Sequence, residues 1–150
     1  MYIQLYEKLV LIQKAYENIS VLGEQMYENL QQKNVSEVQK LQVEQMQYID
    51  GVKQLTTAFQ EMIEQFCKEN GIEPYRMQSL FSYFSEEEIE KIKELQKTLT
   101  TLEENVKMIL SKNQYYLNVL LKITEGIVDS VSEYNLERNH NSQIFINELL

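Results

Sequence analysis

Four glycines and one proline in 150 residues leave this chain few places to turn sharply. Tight turns and hairpins draw on those two residue types, so long helices are expected in place of a many-stranded fold. The apolar pattern agrees. Leu5, Leu9, Ile12, Tyr16, Ile19, Leu22, Met26 and Leu30 recur in steps of three and four, which keeps them on one helical face. The pattern fails at the polar run Gln31-Gln32-Lys33-Asn34, which suits a helix–helix corner.

Asn34 is placed to cap a second helix, with Glu37 at the capping-box position. That helix carries a seam of Val38, Leu41, Gln45, Tyr48, Val52, Leu55, Phe59, Met62 and Phe66, heptad-like with one polar member, Gln45. Asn70-Gly71 and Pro74 end it. Gly51, inside it, is read as a close packing contact or a slight bend. Residues 72–84 are expected to be irregular or a short helix, in which Met77, Leu80, Phe81 and Phe84 fold over the end of the bundle. Ser85 followed by Glu86-Glu87-Glu88 is a strong helix start, pairing a hydroxyl cap with acids at the positive end of the helix dipole.

The third seam runs Ile92, Leu95, Leu99, Leu102, Val106, Ile109, Asn113, Tyr116, Leu120, Ile123 and Ile127. A helix reaching Tyr134 would measure roughly 75 Å at 1.5 Å per residue, longer than a compact domain of this size. The expected architecture is therefore all-α: an elongated antiparallel bundle of three long helices with coiled-coil-like seams. The helices should span about 2–32, 35–70 and 86–135, making one bundle over 1–135 with a flexible tail over 136–150. The polar seam members Gln45 and Asn113 are expected to fix register at a cost in stability.

The formal net charge of −9 comes without any offsetting block of Lys and Arg. That argues against nucleic acid and against anionic membrane surfaces as partners. No apolar run approaches the ~20 residues of a membrane span, so no membrane insertion is expected. The first residues lack the features of a secretion signal, and the sole cysteine, Cys67, suits a reducing cytoplasm. Cys67 itself is expected to be a small buried hydrophobe.

Candidate chemistry is thin. The acids Glu86, Glu87, Glu88 and Glu90 are explained by the helix dipole, and the single histidine, His140, cannot supply the Glu-x-x-His pairs of a di-iron bundle. No Gly-rich phosphate loop occurs, nor a nucleophile with a histidine base nearby. The chain is therefore expected to be no enzyme, with no cofactor and no metal. Its binding features are apolar. Off-seam polar residues such as Glu103 and Glu104 line the first half of the third helix, but from Leu110 a second apolar stripe appears: Leu110, Leu117, Leu121, Val128 and Val131, within about 80° of one another. It either packs against both other helices or serves a partner. Residues past about Leu121 should project beyond the corner at Asn34, leaving Val128, Val131 and Tyr134 without an internal partner, and Ile144, Phe145 and Ile146 add apolar side chains in the tail. Leu117, Leu121, Val128, Val131, Tyr134, Ile144, Phe145 and Ile146 are thus the candidate protein-binding residues. The off-seam tyrosines Tyr6, Tyr27 and Tyr115 add to a protein-contact reading, since a phenol tolerates both solvent and a partner surface.

Three stretches carry a family likeness: Glu28-Asn29-Leu30-Gln31-Gln32-Lys33-Asn34-Val35-Ser36-Glu37-Val38, the Leu41–Leu55 seam with Glu44-Gln45, and Asn113-Gln114-Tyr115-Tyr116-Leu117-Asn118-Val119-Leu120-Leu121. Over residues 5–134 the chain resembles the FlgN family, export chaperones of the bacterial flagellar type III system. The resemblance implies a cytoplasmic chaperone that binds hook–filament junction proteins before export and docks, loaded, on a component of the membrane export gate. A monomer or weak dimer would serve. The competing expectation is a structural or tethering coiled coil whose apolar stripe drives homo-oligomerisation.

Overall fold

The computed structural model describes residues 1–123. Three long helices dominate: α1 (Tyr2–Gln31), α2 (Val35–Asn70) and α3 (Glu86–Ile123). A 3₁₀ segment, Met77–Tyr83, lies between α2 and α3. The expected continuation of the third helix to 135 and the tail over 136–150 lie outside the described residues.

Local chemistry sets the helix ends. Asn34 Oδ1 accepts from the Glu37 N–H at 3.4 Å, capping α2. At its other end Gly71 takes the left-handed conformation, φ 64°, while the Ile72 N–H donates to Cys67 O at 2.9 Å and the Gly71 N–H to Lys68 O. These are the two bonds of a Schellman close, and glycine meets its positive φ without a Cβ penalty. α3 starts with a reciprocal capping box: Ser85 Oγ accepts from the Glu88 N–H at 3.3 Å, and Glu88 Oε2 accepts from the Ser85 N–H at 2.9 Å.

The helices form an elongated bundle in which α1 packs closely against both neighbours. α2 returns antiparallel after the short corner, placing Gln45 Nε2 3.1 Å from Ile19 O. α3 runs parallel to α1. Tyr2 meets Phe84 at one end, while Asn113 Nδ2 donates to Gly23 O at 2.8 Å and Tyr27 meets Tyr116 towards the other. With α2 about 54 Å and α3 about 57 Å long at 1.5 Å per residue, the described part is a rod.

All eight seam residues expected in α1 are buried. In α2 and α3 the buried line departs from the expected seams. Ile49, Ile63 and Cys67 occupy the centre of the α2 face, and Tyr48, Leu55, Met62 and Phe66 flank it half buried. On α3, Ile92, Leu95, Leu99, Val106 and Asn113 are buried as expected, but Leu102, Ile109 and Leu120 are only half buried and Tyr116 is 37% exposed. The cause is geometric. A column with strict seven-residue spacing drifts about 20° per heptad on a straight helix, so after three heptads it has moved to the edge of the contact. Residues of the second stripe replace it: Leu110 packs on the main core, and Leu117 joins a smaller one.

The main core holds most of the buried residues of all three helices, with Met77 and Leu80 of the 3₁₀ segment sealing its base. That segment folds back over the bundle end as expected. A second core of Leu22, Met26, Leu30, Val38 and Leu41 lies at the corner end, with Leu117 and Leu120 packed against it.

Two further expectations are corrected. A Cβ on Gly51 would meet nothing within 4 Å, so Gly51 is no packing contact; the close approach is at Gly23, where a Cβ would sit 2.2 Å from Ile109 Cγ2. Glu103, expected on the polar side, is only 4% exposed. One of its carboxylate oxygens pairs with Lys107 Nζ at 3.0 Å, and the other is buried without a hydrogen-bond partner, as is the Tyr16 hydroxyl. Both residues line a cavity of about 20 Å³ with Ile19, Ile49, Val106 and Leu110. That volume is enough for one water molecule.

Candidate protein-binding surface

The distal half of α3 presents two different faces. Inward, Leu110, Asn113, Leu117 and Leu120 meet the α1–α2 hairpin. Outward, Met108, Tyr115 and Val119 are 63%, 67% and 39% exposed. Steps of seven and four residues bring these three within about 40° of one another, so they form one stripe on the solvent side. The same line on the proximal half of α3 carries Glu94, Lys97, Thr101 and Glu104. The outer face therefore changes from charged to apolar near Met108.

The charge changes with it. From Asn105 to Ile123 the helix carries Lys107, Lys112 and Lys122 and no acid, within a chain of net charge −9. Lys112 and Lys122 lie beside the stripe. Lys112 Nζ sits 3.4 Å from the centroid of the Tyr27 ring, a cation–π contact that steers the side chain along α1. Tyr27 packs edge-on against Tyr116 at 5.3 Å, and Tyr116 against Tyr115 at 5.6 Å. A hydrogen bond with Tyr27 holds the Tyr116 phenol above its ordinary pKa, with Lys112 pulling the other way. The result is an aromatic step from α1 to α3 beside a methionine, edged with cations. Methionine adapts to varied partner shapes, and tyrosine offers contact area at low entropic cost.

The candidate residues from sequence fall unevenly on this geometry. Leu117 is half buried against the corner-end core, and Leu121 is half buried near the level at which α1 ends. That level follows from the Tyr27–Tyr116 and Gly23–Asn113 contacts, which set Gln31 close to Leu120 and Leu121. Val128, Val131, Tyr134, Ile144, Phe145 and Ile146 lie outside the described residues. Of the off-seam tyrosines, Tyr27 and Tyr115 belong to the surface, whereas Tyr6 stacks on Tyr2 at 5.6 Å at the opposite end. Met108 and Val119 were not singled out in the sequence. Their spacing to Tyr115 and the missing acids around them are the signal that marks them.

Among the described residues no group of three or more His, Cys, Asp or Glu side chains is placed to hold a metal, and no helix is long and apolar enough to cross a membrane. Compared with known proteins, the chain matches no family model, no curated protein and no solved structure.

Proposed function

We propose that this protein is a cytoplasmic export chaperone of the flagellar type III system, which binds hook–filament junction proteins before export and delivers them to the export gate. The reading rests on the resemblance of the corner, the second helix and the Asn113–Leu121 stretch to the FlgN family. The observation that carries it is the Met108–Tyr115–Val119 stripe on a cation-edged helix. Such a chaperone needs a long rigid body that offers an apolar strip to an amphipathic client segment, and a bundle with this outer face provides one. The acidic remainder of the surface keeps the free protein from associating through the strip.

The test is calorimetric titration against purified hook–filament junction proteins. Burying each of the three side chains would contribute roughly 1.5–3 kcal/mol before ordering costs. Changing Met108, Tyr115 and Val119 together to Ser is therefore expected to weaken binding by more than about tenfold, which is 1.4 kcal/mol. All three are solvent-facing, so helicity by circular dichroism should stay at the parental value. Unchanged affinity would place the client elsewhere. No binding by the parental protein, with a concentration-independent dimer by light scattering, would replace this reading with the tethering coiled coil.

A further inference from the structure

We propose that the corner end of the bundle opens as a unit of its own, with α3 beyond Asn113 leaving the α1–α2 hairpin while the main core stays folded. The apolar interior is not continuous. The two cores are separate clusters, and between them lies a layer built from polar groups and a missing side chain. In that layer Gln45 Nε2 donates to Ile19 O at 3.1 Å and Asn113 Nδ2 donates to Gly23 O at 2.8 Å, while Gly23 has no side chain to contribute. Tyr48 packs against both clusters and spans the layer.

The two cores differ in quality. Of the corner-end residues only Val38 is as buried as the main core, at 1%; Leu22, Met26, Leu30 and Leu41 keep between 5% and 8% exposure, whereas most main-core residues keep 3% or less. Past Asn113, α3 meets the corner-end core through Leu117 and Leu120, both half buried. Among the described residues, that segment holds the corner-end core through two half-buried leucines only, and burial is what holds a helix to its neighbours. Opening also relieves a penalty. Asn118 Oδ1 is buried without a hydrogen-bond partner, and it recovers water when the segment lifts. Few buried apolar contacts on one short stretch are the mark of a locally unfolding unit. The opened state uncovers the apolar side of the hairpin next to the outer stripe.

Native-state hydrogen exchange of the full chain, followed residue by residue by NMR in low denaturant, tests this. Amides of 114–123 should share one opening step, at least about tenfold more populated than the opening of 92–106 and with a shallower denaturant dependence. Phe59→Ala, a main-core change, should lower protection over 92–106 and leave 114–123 unmoved, since the distal step does not involve Phe59. Ile63→Val makes the same comparison if Phe59→Ala does not fold. Equal loss of protection at both sets of amides would overturn the proposal. So would a smooth gradient of protection along α3 with no shared step at Asn113.

Discussion

Gly23→Ala is expected to destabilise the protein by about 2 kcal/mol, although alanine is the better helix former. The added Cβ would lie 2.2 Å from Ile109 Cγ2. Ile109 is β-branched and stiff about χ1 in a helix, so its methyl cannot swing aside, and α3 must move away from α1. That movement lengthens the Asn113–Gly23 hydrogen bond as well. Gly51→Ala should act in the opposite direction, stabilising by up to about 1 kcal/mol, because the new methyl meets open space and the helix loses its weakest residue. Urea unfolding of the two variants therefore separates two mid-helix glycines by about 3 kcal/mol. A Gly23→Ala variant as stable as the parent would show that the helices are not in close contact there. Truncating Ile109 to Ala in the Gly23→Ala background should recover part of the loss, a coupling that a double-mutant cycle reads directly.

The second large effect concerns alkaline stability. Burial pushes the Tyr16 phenol far above its ordinary pKa of 10, and the nearby Glu103 carboxylate adds to the shift. Below about pH 10 folded and unfolded chains both hold this proton, so Tyr16 contributes no pH dependence. Above it the unfolded chain releases the proton while the folded chain keeps it. The unfolded state then binds fewer protons, and stability falls as pH rises, by about 1.4 kcal/mol per pH unit from this one group. Tyr16→Phe removes that slope. At pH 11 the variant should outlast the parent in urea by about 1.4 kcal/mol more than it does at pH 8. Other tyrosines and the lysines titrate in both proteins, so the difference isolates Tyr16. Equal slopes would mean that the hydroxyl is open to solvent.

The α1 seam was fully legible because its steps mix threes and fours at close to 3.6 residues per turn, the natural period of a straight helix. The α2 and α3 seams were legible as faces but not as lines. Where Tyr48 and Ile49, or Met62 and Ile63, stand side by side, a heptad count selects the first of each pair and the packing selects the second. Glu103 looks like surface in the sequence because its own type suggests water; its burial depends on Tyr16 and Lys107, which the helix pattern does not link to it. Gly23 and Gly51 look alike in sequence, and only the helix across from each tells them apart. The corner, both capping signals and the 3₁₀ clasp were legible because each depends on residues close in sequence. Half of the candidate surface was visible, through Tyr27 and Tyr115. The rest required knowing which side of α3 faces water.

The 3₁₀ segment that closes the base of the main core also hides the only thiol. Cys67 is fully buried, its pKa raised by burial, with Met77 and Leu80 in the same cluster. A thiol reagent needs both access and a thiolate, and the closed bundle withholds both. The chain thus carries a native chemical clock: under conditions where modification is fast compared with reclosure, the rate of Cys67 labelling is the rate at which the base of the rod unlatches. No label has to be engineered to read it, and the clock sits at the far end from the surface assigned to clients.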